Sequence, residues 1–180
     1  MSQERLVIVS NRLPVVVKGG ENDHRRIEAG QGGLVTAMAP VLRNRGGLWI
    51  GWPGTKGEDH EEVDGLITSV TGDAGYDLKA VHLNERDVDL FYHGFANNII
   101  WPLFHDLQSQ CNFRPEYWHA YQQVNEKYAE TISANIEEND FVWIHDYHLM
   151  SAAKHLHRRG LNVRLGFFLH IPFPPLDIFM

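Results

Sequence analysis

The stretch WIHDYHLM, Trp143 to Met150, sets His145, Asp146 and His148 almost side by side. Two imidazoles and a carboxylate this close can ligate a metal, relay a proton, or exchange hydrogen bonds with a polar ligand. A second stretch, GFFLHIPFP from Gly166 to Pro174, brings His170 after another apolar run. A metal reading needs a third or fourth converging ligand, which His170 could supply. Against it, a strand-to-helix junction splays neighbouring side chains apart. Asp146 can instead cap a helix starting near Tyr147 while the histidines satisfy buried polar groups. It can also face a hydroxyl-rich ligand as an acceptor.

Three further groups carry chemistry. Arg12, in Ser10-Asn11-Arg12, offers a planar five-donor fork suited to phosphate or carboxylate; the plain alternative is a surface salt bridge. GQGGL, Gly30 to Leu34, places glycines ahead of a helix, where backbone can approach a ligand and the helix N-terminus favours an anion. It is neither the G-x-G-x-x-G fingerprint nor the lysine-containing phosphate loop. The aromatics Trp49, Trp52, Tyr92, Trp101 and Phe104 are either core or, at a pocket mouth, stacking surfaces for a sugar ring. Together these groups describe a phosphorylated-sugar pocket.

The elements that must position them follow from the hydrophobic pattern. RLVIVSN, GLWIGW, YDLKAVHL, DFVWIHD and VRLGFFLH read as strands, and the two runs leading to Asp146 and His170 read as buried strand ends. A hairpin excursion over residues 13–30 is expected around Gly-Gly-Glu-Asn-Asp. Residues 32–47 carry Leu34, Met38 and Leu42 at helical spacing, although Pro40 should kink or shorten that helix. The segment from Pro53 to Asp64 reads as loop with at most a short helix. Asn84 is a good N-cap for the segment beyond it. From Pro115 onward, Tyr117, Tyr121, Val124, Tyr128, Ile132 and Ile136 form one stripe, and YHLMSAAKHLHRRG reads as a further helix. Alternating strands and helices predict an α/β fold with a Rossmann-like doubly wound, mainly parallel sheet. Ligands then bind beyond the carboxyl ends of the strands, where Asn11-Arg12, Trp52, Asp146 and His170 fall.

Composition narrows the classes. The chain of 180 residues has 43% hydrophobic and 22% charged residues, as expected for one globular domain. Its net charge of −7 argues against non-specific nucleic-acid binding. A single cysteine, Cys111, points to a cytosolic protein, and no apolar run is long enough for a membrane span. The chain closes on PPLDIFM without a polar tail, so it is expected to belong to a longer protein.

VIVSNRLPVVV, GGL, WIGWPG, FYHGFANNIIWPLFH, WIHDYHLM and GFFLHIPFPP, in this order from Leu6 to Phe179, resemble the trehalose-6-phosphate synthases. The resemblance implies a retaining, metal-independent glycosyltransferase of the GT-B architecture, with two Rossmann-like domains facing a cleft. It moves glucose from a nucleotide sugar, with UDP-glucose the expected donor, to glucose 6-phosphate, and uses no cofactor. On this resemblance Arg12 holds the acceptor phosphate, Tyr92 and Trp101 line the acceptor pocket, and Trp52 frames it. Gly32 and Gly33 lie beside the donor diphosphate. Asp146 and His170 contact the sugars as catalytic groups, with His170 near the transferred glucose, while His145 and His148 revert to structural roles. Residues 1–180 then form the N-terminal acceptor-side domain, without the nucleotide-sugar domain, and are expected to fold but not to transfer glucose. A cytoplasmic protein with no nucleic-acid or membrane partner is implied; a homo-oligomer is left open.

Overall fold

The computed structural model describes residues 4–19, 25–57 and 60–178. Its framework is a five-stranded sheet built from β1 (Leu6–Arg12), β4 (Leu48–Trp52), β5 (Asp77–Ala80), β6 (Phe141–His145) and β7 (Arg164–Phe168), in the order β5-β4-β1-β6-β7. Every pairing in it is parallel. The order reverses between β1 and β6, so the two strands that end in Asn11-Arg12 and His145-Asp146 flank the switch point, where an open α/β sheet leaves a crevice.

Strands β1 and β4 are apolar throughout because both faces are covered. On one face Val7, Val9, Ile50, Trp52, Val142 and Ile144 pack under α5 (Pro115–Asn135) and its neighbours. On the other, Leu6, Ile8, Trp49 and Leu78 pack with Met38 and Leu42 of α1 (Gly33–Arg45) and Val63 and Ile67 of α2 (His60–Ala74). The expected stripe on α5 is buried from Tyr117 to Ile132. Residues 13–30 do leave the sheet: β2 (Val15–Lys18) and β3 (Arg26–Ala29) form a separate antiparallel ribbon. Most of its expected Gly-Gly-Glu-Asn-Asp centre lies outside the described residues.

Several expectations are corrected. Helix α1 runs through Pro40 to Arg45 without ending there. The stretch from Pro53 to Asp64, read as loop with at most a short helix, ends in the first residues of α2, which runs on to Ala74 with Val63, Leu66, Ile67 and Val70 on one apolar face. The segment after Asn84 starts with the expected cap, a reciprocal capping box with Asp87. After α3 (Glu85–Asp87) it widens over Val88–Ile100 into hydrogen bonding five residues apart, as from the Trp101 N–H to the Ala96 carbonyl, before α4 (Trp101–Phe104). Beyond β6 a single 3₁₀ turn, Tyr147–Leu149, precedes the short α6 (Ala152–Arg158). Strand β7 is not buried. It is a sheet edge, and among the described residues nothing covers Leu165, Phe167 and Phe168, which are 40–49% exposed.

Candidate functional site

Strand β1 ends irregularly. Its register with β4 shifts between Val9 and Arg12, which releases Ser10 and Asn11 from the ladder. Ser10 Oγ then donates to the Arg12 carbonyl at 2.6 Å and accepts from the Trp49 indole at 2.8 Å. This turns the exposed Arg12 side chain out over Trp52, with its guanidinium carbon 3.9 Å from the ring centroid and 5.7 Å from that of Tyr92. Arg12 makes no ion pair or side-chain hydrogen bond among the described residues, so its donor fork has no partner there. Trp52 itself is 1% exposed and donates to the Thr55 carbonyl at 2.6 Å. It is a platform beneath the arginine, not a ring at the pocket mouth.

Across the crevice, Asp146 sits at φ +76°, a left-handed conformation that few non-glycine residues adopt and that costs free energy held elsewhere in the fold. Its Oδ1 accepts from the Tyr147 N–H at 3.0 Å and from the His170 N–H at 3.2 Å. Capping and ligand binding are therefore not exclusive: Oδ1 ties two backbone segments together, and Oδ2 is left for a ligand. The third wall is the glycine turn. Gly32, at φ +144°, starts α1 without a side-chain cap and with no acid in its first turn, so the free N–H groups of that turn can meet an anion.

These walls enclose a cavity of about 270 Å³ lined by Arg12, Gly32, Gly33, Tyr92, Asp146 and His148, among others. Among the described residues, four of the seven buried side-chain polar atoms without a partner belong to its lining, namely Asn11 Oδ1, His145 Nε2 and both ring nitrogens of His148. Orphaned polar atoms gathered around one cavity mark a place where a polar guest completes the hydrogen bonding. His170 and His145 share a hydrogen bond at 3.0 Å between Nε2 and Nδ1 and line an adjoining, more apolar trough with Leu34, Trp143 and Phe168. Trp101 is not brought to the cavity; it is 41% exposed and stacked on His105 at 4.2 Å.

Electrostatics separate the imidazoles. Burial, and then the nearby Arg12 charge, push His148 down to about 3. Burial, and then His170, push His145 down to about 4. Both rings are neutral at pH 7, which leaves Arg12, among the described residues, the only cation lining the cavity. Among the described residues no three His, Cys, Asp or Glu side chains gather as ligands of a metal ion.

Sequence reasoning gave His148 a structural role, yet its ring lies parallel to Tyr92, 5.6 Å between centroids, in the cavity wall. The 3₁₀ turn after Asp146 rotates it there, where an α-helical start would have turned it differently. Gly54 was also overlooked. At φ +94°, a Cβ on it would fall 2.7 Å from Arg12 Nη1. The signal was available as the glycine of Trp-Pro-Gly.

The parallel sheet, its switch-point crevice, the glycine turn and the guanidinium and carboxylate beside it define a Rossmann-like α/β domain with one polar cavity. Residues 4–180 match the model of glycosyltransferase family 20, and the chain belongs to that family. It is 42% identical over 176 residues to a trehalose-6-phosphate synthase of Mycolicibacterium smegmatis, covering 97% of this chain and 33% of that one. A UDP-forming synthase of Burkholderia xenovorans, solved in complex with glucose-6-phosphate, superimposes with a TM-score of 0.75 at 30% identity, over 97% of this chain and 35% of that one. An E. coli structure bound with UDP-2-fluoro glucose gives a TM-score of 0.75 at 34% identity, over 98% and 35%. The chain thus spans about a third of the length of these relatives and is a trehalose-6-phosphate synthase-like domain of the family.

Proposed function

We propose that this chain is the acceptor-side domain of a hexosyltransferase that moves glucose from a nucleotide sugar to glucose 6-phosphate, giving trehalose 6-phosphate with retention. The observation that carries the reading is Arg12: a guanidinium over the Trp52 ring, unpaired among the described residues, lining a cavity that the Asp146 carboxylate also lines. A fork of this kind takes the dianion of a sugar phosphate bidentately. Asp146 Oδ2 then accepts from acceptor hydroxyls, and Tyr92 bounds the ring. Trp101, outside the cavity lining, and His170, beside the trough, are assigned to the sugars on the family resemblance alone. The glycine turn and the first N–H groups of α1 take the donor diphosphate. The nucleoside falls to polypeptide beyond this domain, which therefore does not transfer glucose by itself.

Retention needs no protein nucleophile here. As the bond from the anomeric carbon to the diphosphate oxygen breaks, the acceptor hydroxyl attacks from the same face, and its proton passes to the departing diphosphate. The domain's contribution is placement and charge stabilisation. The reading is supported by a relative solved with glucose-6-phosphate and another with a UDP-sugar analogue.

Calorimetry tests it. Glucose 6-phosphate should bind, free glucose should bind far more weakly, and Arg12→Ala should remove at least about tenfold of the phosphate-dependent affinity, the loss of a charge-assisted hydrogen bond. Equal affinity in Arg12→Ala would refute the assignment.

A further inference from the structure

Helix α5 carries three polar groups on its buried stripe, Tyr121, Asn125 and Tyr128, each at most 1% exposed. An apolar core needs none of them. All three reach the two loops that bear the site. Tyr121 Oη donates to the Tyr147 carbonyl at 2.8 Å and accepts from the Met150 N–H at 3.1 Å. Asn125 donates to the His148 carbonyl at 3.1 Å. Tyr128 Oη donates to the Asn11 carbonyl at 2.7 Å.

The last bond matters most, because β1 leaves its ladder at Ser10 and Asn11. Over these two residues the ladder is interrupted, before Arg12 and the Leu13 N–H rejoin Trp52, and the buried Asn11 carbonyl needs a partner from elsewhere. Tyr128 supplies it, one residue before Arg12. We infer that Tyr128 is a positioning residue for the sugar-phosphate site: by holding the Asn11 carbonyl, its hydroxyl sets where the Arg12 guanidinium stands. The inference rests on the assignment of Arg12 to the ligand phosphate. Phenylalanine would fill the same space, so the hydroxyl serves geometry rather than packing.

The test is a double-mutant cycle on the full chain, read as the dissociation constant for glucose 6-phosphate, with Ile132→Val as a buried control on the same helix. Tyr128→Phe should weaken binding about tenfold in the unaltered background and less than about twofold in the Arg12→Ala background, since the two act through one group. Ile132→Val should leave binding unchanged while lowering the thermal midpoint. A loss from Tyr128→Phe of threefold or less, a loss of similar size in both backgrounds, or a similar loss from Ile132→Val overturns the inference. An Arg12→Ala variant that binds normally removes its basis, and that result is seen before any Tyr128 variant is made. Should Tyr128→Phe fail to fold, hydrogen exchange on the unaltered chain decides. Glucose 6-phosphate should slow exchange in α5 around Tyr128 together with Asn11–Leu13. Protection confined to the loops would overturn it.

Discussion

Arg12 lies over the face of Trp52 at 3.9 Å, and the indole beneath it is buried and pinned to the Thr55 carbonyl. A cation held this way is aimed without being neutralised, which an ion pair could not do. Replacing Trp52 with leucine keeps an apolar core residue but removes the platform. Affinity for glucose 6-phosphate should fall by the worth of an exposed cation–π contact, about 0.5 to 1 kcal/mol, measured by titration calorimetry. Unchanged affinity in a folded variant would show that Arg12 needs no support from below.

Gly54 supplies a steric counterpart. Its positive φ and the 2.7 Å approach of Arg12 Nη1 to a would-be Cβ mean that Gly54→Ala strains the backbone and displaces the guanidinium together. The variant should lose about 1 kcal/mol or more of stability, and sugar-phosphate binding should weaken in parallel. Denaturant titration and calorimetry on the same sample check both.

Acid should loosen the fold through His148. Its folded value, about 3, lies below the ordinary 6.5, so the unfolded chain binds the proton first as pH falls. The contribution is therefore complete above about pH 6.5 and declines by up to about 1.4 kcal/mol per pH unit below it. Urea denaturation at pH 7 and pH 5 should show the decline, and His148→Phe should show a shallower one. Equal slopes would mean that another group dominates the acid limb.

Far from the cavity, Asp140 is 2% exposed and pairs with Arg5 at 2.7 Å, while Arg5 also donates to the Asn135 carbonyl. This pair fastens the start of β1 to the end of α5 and β6. Arg5 is about a third exposed and Asp140 keeps the Glu137 N–H at 2.8 Å, so Arg5→Ala should cost about 1 to 2 kcal/mol. Binding of glucose 6-phosphate by the folded fraction should not change, which separates strand anchoring from site chemistry.

Much of this was legible from residue types. Continuous apolar runs marked β1, β4 and β6, and the strand-end rule pointed to Arg12, Trp52, Asp146 and His170, of which Arg12 and Asp146 line the cavity while His170 lines the adjoining trough and Trp52 lies beneath the arginine. What escaped depended on local geometry that pattern does not encode. One 3₁₀ turn brought His148 into the wall. The irregular end of β1 made Tyr128 a partner of Asn11 across 117 positions. The polar start of α2, His60 to Asp64, read as loop, although tertiary burial of Val63 and Ile67 outweighs that polarity. For β7 the error ran the other way, because an apolar sequence cannot announce whether its neighbour is present.

The wide helix from Val88 to Ile100 makes length itself a constraint. It aims Tyr92 at His148, Phe95 at Tyr121 and Asn97 at Tyr147. Deleting one residue would let ordinary α-helical bonding resume without a break, yet everything downstream would swing by about 100°. No compensating substitution restores three such alignments at once. Side-chain changes at exposed positions such as His93 and Asn98 leave those alignments in place, whereas loss of a residue between them does not.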